Sequence, residues 1–487
     1  MSVGLALLAL LATPLAHAFA VLAFSRPPGL RDFVNIGFAL AAAVLAIFVL
    51  NGVAAGESAR IVLARPLPNV DLGFSLEPLG ALSAVVVTGL GFIHAVHAVG
   101  VVRAAQEKAP ARLMAFMALA MAAALAVAFS ANLFSLFIAY QALILAAFPL
   151  VAHRGDEEAR AAGRTFLATL LASSIVLLLP AMIGVYALAG ALDFQAGGVL
   201  AGRVGVVGAN VLLVLFVFGL AMAAMPPMHR WLTATTRAPY PTLVTVQALA
   251  VLPTGGLALL KVLAYVFGAA LTTARASAIA LLALACIGMC VAAAIALSRQ
   301  DVRERLAYSC MAQGLAVVMG GLLALPAGLF AAALQIVATS CAATTLLMAS
   351  GTVNAITGRT SVADFAGLGR VMPWTFAGFA LASASMIGMP PFAGAWSRLW
   401  LITASASSDL VWAGALVGVA AVLTFAHLGP LAASAFAERA PADAFKRPDG
   451  ASILLVAPVI LSAAATLWVL VVADPLASFL SPVWTPP

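Results

Sequence analysis

The chain has 487 residues, 64% of them hydrophobic and 8% charged, with a mean hydropathy of +1.13. Soluble domains carry about 25% charged residues, so a water-soluble fold is excluded by the shortage of polar side chains to cover its surface. The formal net charge of +7 is spread over short connections between apolar runs, not gathered on one face, and this argues against a nucleic-acid partner.

Apolar runs of about 18 residues or more read as membrane-spanning helices. Barrel strands would alternate apolar and polar residues, and these runs do not. The expected fold is therefore all-α and polytopic, with about fourteen spans at 4–25, 33–53, 79–101, 113–129, 131–152, 165–190, 207–228, 242–269, 276–298, 306–325, 328–350, 372–396, 409–437 and 451–474. The first run contains Ala16-His17-Ala18, which mimics a signal-peptide cleavage site. It lacks a positive leader and stays apolar to Phe24, so it reads as a retained helix. Gly52 to Pro78 is the longest external stretch, with Pro66, Pro68 and Pro78, and is expected to pack as an ordered loop. No linker or composition shift divides residues 1–487, which predicts one transmembrane domain.

Lys and Arg fall unequally on the two sides of these spans. Eighteen lie on one side, among them Arg26, Arg103, Arg237, Lys446 and Arg447, against Arg60, Arg65, Arg203 and Arg275 on the other. Lys261 falls inside a span and Arg398 in the helical continuation just past 372–396, so both are assigned to helices and to neither side. The positive-inside rule makes the rich side cytoplasmic and predicts a multi-pass protein of the cell inner membrane with both termini outside.

Cys286, Cys290, Cys310 and Cys341 all sit in apolar stretches without the spacing of a metal or iron–sulfur site. With no Gly-rich nucleotide loop either, neither a cofactor nor a metal is expected. Three apolar runs are interrupted, at Met225-Pro226-Pro227-Met228, at Pro253 before Gly255-Gly256, and at Gly388-Met389-Pro390-Pro391. Broken helices free backbone groups that only protein or water can satisfy, so they mark candidate ion paths. A lone proline such as Pro180 reads as a packing kink.

Three motifs give these breaks a context. Residues 227–234 read Pro-Met-His-Arg-Trp-Leu-Thr-Ala, followed by Ala238-Pro239-Tyr240-Pro241. Residues 301–309 read Asp-Val-Arg-Glu-Arg-Leu-Ala-Tyr-Ser, with Gln313 beyond, and 388–398 read Gly-Met-Pro-Pro-Phe-Ala-Gly-Ala-Trp-Ser-Arg. In order and spacing, from about Leu133 to Arg398, the chain resembles the antiporter-like membrane subunits shared by complex I, Mrp cation/proton antiporters and membrane-bound hydrogenases. The resemblance implies fourteen helices in two inverted five-helix repeats, each with one broken helix.

It also marks departures. Where the family has a Trp-Glu pair this chain has Tyr140-Gln141. The lysine seven residues before the motif histidine is Met222, and a His and a Lys of the next helix are Gln247 and Pro253. A later His and Lys correspond to Thr339 and Ala343, in a stretch that opens on Gln335. The Trp-Ser-Lys lysine is Arg398, and Lys261 lies where the family often has a basic residue. A proton relay needs groups that bind and release protons. Gln, Met, Pro, Thr and Ala do not, and Arg stays protonated.

Arg398, Lys261 and His229 are thus the candidate ion-path residues. His229 reads equally as a cap of the broken helix, and Lys261 as a structural cation. His94 and His97, three apart on one helix face, and the single His17 and His427 read mainly as buried hydrogen-bonding groups. All acidic residues are expected in loops or at helix ends. The resulting expectation is an antiporter-like subunit that works with other membrane subunits of a larger complex, contributing to proton or cation translocation or to its scaffolding, with no catalytic site of its own. The alternative is a self-sufficient secondary cation/proton antiporter.

Overall fold

A computed structural model describes residues 2–439 and 452–484. Lys446 and Arg447 of the charge comparison lie outside the described residues. The helices are α1 (Val3–Ala23), α2 (Pro28–Ala54), α3 (Pro78–Ala105), α4 (Pro110–Ala128), α5 (Leu133–Val151), α6 (Glu157–Ala189), α7 (Val206–Gly219) and the short α8 (Arg230–Ala234). There follow α9 (Tyr240–Leu271), α10 (Arg275–Ser298), α11 (Val302–Leu322), α12 (Pro326–Thr357), α13 (Pro373–Ile387), α14 (Ala393–Ser407), α15 (Val411–Ala437) and α16 (Ile453–Leu480).

Local sequence sets their starts. Pro28, Pro78, Pro110, Pro326 and Pro373 occupy first-turn positions, where the missing N–H costs nothing. Asn132, Asp156 and Asp301 cap α5, α6 and α11 through their side-chain oxygens. Among the described residues ten helices are long and apolar enough to cross a membrane, or eleven if the bent pair Ile453–Trp468 and Ala473–Trp484 is one span. The remaining expected spans are short or interrupted (α7–α8, α13–α14) or more polar (α11).

α9 and α12 are enclosed over 94% of their most apolar windows, against 28% for α2 and 39% for α1, α6 and α15. α12 packs on α3, α11, α13, α14 and α16. The peripheral helices present Phe19, Phe33, Val207 and Trp374 outward, which is the surface a bilayer solvates. One apolar core runs continuously from α1 to α16.

Four expectations are corrected. Residues 52–78 are not a loop: β1 (Arg60–Leu67) and β2 (Val70–Ser75) form an antiparallel hairpin. It is pinned to the turn between α4 and α5 by Ser75 N–H on the Phe129 carbonyl and Ala131 N–H on that of Gly73. Pro253 does not interrupt its helix, since α9 runs through it. The carbonyl that Pro253 cannot serve, Leu249, lies in a π-helical turn at Val244–Leu249 that absorbs the mismatch. α16 continues past Asp474 to Leu480. Finally, Asp32 lies inside α2, fully buried.

Asp32 accepts from Arg31 at 2.6 Å and from Arg103 of α3 at 2.7 Å, and only Arg103 is exposed. Removing one member of a buried pair strands the other's charge. Asp32→Ala should therefore destabilise by about 3–5 kcal/mol, and Arg103→Ala by under about 1 kcal/mol, read as unfolding midpoints in detergent. In the α3–α4 connection, the hydrogen bond from His153 holds the Glu107 carboxyl below the usual carboxylate range. That contribution is present above the unfolded carboxylate pKa of about 4.3. It is lost as pH falls through the lowered folded value, and Glu107→Gln should remove this part of the acid sensitivity.

Candidate ion-path residues at the broken helices

The first break follows α7. Residues Ala221–Ala223 make one 3₁₀ turn, Ala224 takes φ +58°, and the chain re-enters helix only at Arg230. Two fully buried side chains hold the backbone freed by the break: the Met222 N–H donates to Tyr140 Oη at 2.9 Å, and Trp231 Nε1 donates to the Ala221 carbonyl at 2.8 Å. Tyr140 of the Tyr140-Gln141 pair is thus a structural strut. Its neighbour Gln141 is half-buried and accepts from Ser174 Oγ at 3.2 Å. His229 precedes α8 but makes no side-chain capping bond, and its Nδ1 is buried without a partner. The capping role considered for it is not seen.

Gln247 is fully buried in the π-helical turn of α9 and donates to Thr235 Oγ1 at 2.9 Å. Pro253 lines two small cavities of about 20 Å³ each, one shared with Thr339. A cavity of that size holds about one water, and the linings are chiefly aliphatic. Ala343 is buried in α12.

Lys261 lies further along α9 with no exposed surface. Its Nζ donates to the Ala128 carbonyl at 2.8 Å and the Ser130 carbonyl at 2.9 Å, pairs with Glu77 at 2.5 Å, and stands 5.0 Å from the centre of the Phe194 ring. Glu77 is the residue before α3, and Tyr265, one turn beyond Lys261, faces the same carboxylate. Sequence reading missed Glu77 as a partner because it sits at a helix end 184 positions away. The Pro78 that follows it was the visible signal that a helix starts there.

The second break separates α13 from α14. Gly388 takes φ +89°, and a Cβ there would stand 2.3 Å from Arg398 Cδ, so glycine is needed both for the backbone and for the passage of the arginine. Arg398 is buried. Its Nη2 donates to the Met386 carbonyl at 2.8 Å and to Gln313 Oε1 at 3.4 Å. Gln335 Nε2 donates to Gln313 Oε1 at 2.9 Å and Thr339 Oγ1 at 3.0 Å, while Ser397 Oγ donates to Gln335 Oε1 at 2.5 Å. Ser309 Oγ contacts Met386 Sδ at 3.1 Å and His427 Nε2 at 3.2 Å. The structure therefore joins the single His427 to the region of Arg398, which spacing in sequence does not reveal. No carboxylate pairs with Arg398 among the described residues.

The other histidines bridge helices. His17 Nε2 meets Asn35 Oδ1 at 3.1 Å, His94 Nε2 the Pro241 carbonyl at 3.0 Å, and His97 Nε2 Thr352 Oγ1 at 2.9 Å. No hydrogen bond or ion pair among the described residues joins Arg398, Lys261 and His229 to one another.

A sequence model of the family described as "NADH:quinone oxidoreductase/Mrp antiporter, TM" matches residues 130–424, and so contains both breaks. The chain belongs to this family. It is 28% identical over 376 residues to NADH-quinone oxidoreductase subunit N of Desulforudis audaxviator, covering 75% of this chain and 74% of that one. It is 26% identical over 367 residues to NAD(P)H-quinone oxidoreductase chain 5 of Synechocystis sp., covering 71% of this chain but only 52% of the relative. Its fold matches a chain in the structure of the Mrp complex from Dietzia sp. with a TM-score of 0.86 at 20% identity, covering 100% and 98% of the two chains. A chain of the membrane-bound sulfane sulfur reductase, an archaeal respiratory membrane complex, matches with a TM-score of 0.81 at 22% identity over 98% and 96%. This chain is thus a multi-pass membrane protein of the antiporter-like type.

Two substitutions test how the breaks are held. Tyr140→Phe keeps the ring but leaves the Met222 N–H buried without an acceptor, which should cost about 1–3 kcal/mol in detergent unfolding. Gly388→Ala should displace Arg398 and reproduce the functional phenotype of an Arg398 substitution; a fully active Gly388→Ala protein would refute the close approach.

Proposed function

We propose that this chain is an antiporter-like membrane subunit of a multisubunit complex related to Mrp and complex I assemblies, in which ion traffic depends on the Arg398 region and the usual proton relay of the first half is lost. The observation that carries the reading is the Arg398 network. A permanent cation is buried at a helix break and held by the Met386 and Val417 carbonyls and a chain of Gln, Ser and Thr side chains. Such a network fixes a charge and orients neighbours but stores no proton. In the first half Gln141, Met222, Gln247 and Pro253 replace ionisable groups, and the cavities beside Pro253 are no larger than about one water each.

Within this reading the whole chain is one transmembrane domain of fourteen crossings. α11 and the bent α16 each count once, and the pairs α7–α8 and α13–α14 each count as one broken helix. The two similar Pro-Pro breaks support the inverted-repeat arrangement. The bias of Lys and Arg supports an inner-membrane location with both termini outside. That would put the β1–β2 hairpin, Glu77 and the α4–α5 turn on the outer side. The self-sufficient antiporter remains the rival reading.

Purification from native membranes in mild detergent separates the two: the proposal expects stable co-elution with other membrane subunits, and a chain that travels alone overturns it. In proteoliposomes the isolated chain should show no cation exchange driven by a pH gradient. In the intact complex Arg398→Leu should reduce ion-coupled activity at least tenfold, whereas Gln141→Leu should leave it within about twofold. Exchange by the isolated chain that disappears in Gln141→Leu would show that the first half still conducts.

A further inference from the structure

The last carbonyls of a helix have no partner within it and carry the negative end of its dipole. At the end of α4 these groups converge on one point. The Ala128 and Ser130 carbonyls lie 2.8 and 2.9 Å from Lys261 Nζ, the Val127 carbonyl 3.5 Å, Ser130 Oγ 3.4 Å, and a Glu77 carboxylate oxygen 2.5 Å. The Phe194 ring covers another side with its face 5.0 Å away. Gly80 makes the closure possible, because a Cβ there would sit 2.6 Å from the Ala128 carbonyl.

Oxygens that replace a hydration shell are what a desolvated monovalent cation requires. This cradle offers three carbonyls, a hydroxyl and one carboxylate, so its single negative charge matches a single positive one. The ammonium of Lys261 is completely enclosed, while Glu77 retains 13% of its side-chain surface. The cradle therefore meets solvent through the carboxylate, beside the β1–β2 hairpin. We propose that this cradle is a monovalent-cation site which Lys261 occupies as a tethered ammonium. Without that side chain it takes Na⁺ or K⁺ from the hairpin side of the membrane. Lys261 is then a plug: it satisfies the site with a cation that cannot leave, and it denies the site to free ions. The proposal does not depend on whether the protein moves protons.

The test uses the full chain in detergent, with Lys261→Ala and the double variant Lys261→Ala/Glu77→Gln, in NaCl, KCl or choline chloride at equal ionic strength. Wild type should unfold at the same temperature in all three salts and retain no ²²Na⁺ or ⁸⁶Rb⁺ above background. Lys261→Ala should unfold several degrees higher in an alkali salt than in choline and retain at least tenfold more of one tracer than wild type. The double variant should lose both effects. If Lys261→Ala is recovered folded only in alkali salt, the proposal holds equally. A Lys261→Ala protein that is folded but indifferent to the cation overturns it, as does one that is unfolded in every salt. So does a cation response of equal size in wild type or in the double variant.

Discussion

A helix end buried in protein or at membrane depth is a liability, because the carbonyls of its last turn have neither an intrahelical partner nor water. This chain answers with cations. Arg398 takes the Met386 carbonyl at the end of α13, and Lys261 those of Ala128 and Ser130 at the end of α4. Arg305 takes Leu297 and Arg299 at the end of α10, Arg112 takes His153 just past α5, Arg203 takes Ala189, and Arg370 takes Phe436 and Ala437 at the end of α15. Each placement also sets a positive charge against the negative end of a helix dipole. Much of the basic content that looks from composition like a surface property is spent on holding the bundle together.

That use constrains chemistry. A lysine fastened to two carbonyls and a carboxylate, and an arginine fastened to the α13 carbonyl, are both held in one place. The polar groups nearest the family's relay positions complete the picture. Gln313 and Gln335 each donate and accept at once, which suits them to locking neighbouring helices in place, whereas Gln247 donates to Thr235 and its Oε1 is buried without a partner. Around Pro253 aliphatic side chains leave space for single waters and not for a file of them. Positions 141, 222, 247 and 253 of the first half carry Gln, Met, Gln and Pro, side chains that do not bind and release protons near neutral pH.

The membrane class, most helix positions and both Pro-Pro breaks were legible in the sequence, since apolar runs and interruptions are local signals. The Gly52–Pro78 hairpin was not, because its strands bear three prolines nearby and gain their order from the α4–α5 turn, a contact remote in sequence. Pro253 misled for a related reason: a missing N–H signals a break, yet a π-helical turn at 244–249 absorbs it. A π-helical turn, Ser174–Leu178, likewise precedes Pro180, which read as a packing kink within a continuous helix. Of the candidate site, Arg398 and Lys261 were visible as charges inside apolar runs. Their partners were not, since backbone carbonyls carry no sequence signature and Glu77 reads as an ordinary loop acid. Asp32 failed in the opposite direction: it fell just outside the expected span 33–53, whereas α2 begins at Pro28 and Asp32 is buried with Arg31, Arg103 reaching across from α3.

The placement of Arg398 bears on how anything could pass the second half. Two monovalent charges about 4 Å apart in an effective dielectric of about 20 repel by about 4 kcal/mol. A proton on water or a metal cation beside the guanidinium would meet that barrier, and Gln313, Gln335, Ser397 and Thr339 supply no negative charge to offset it. Passage therefore requires either that the guanidinium swing away from the Met386 carbonyl or that a carboxylate approach from beyond the described residues, such as one on a partner subunit. The first motion breaks a charge-assisted bond and uncovers a helix end in a dry environment, which is costly. The second costs this chain nothing, and it makes the positive charge at the break a reason for the subunit to act in company.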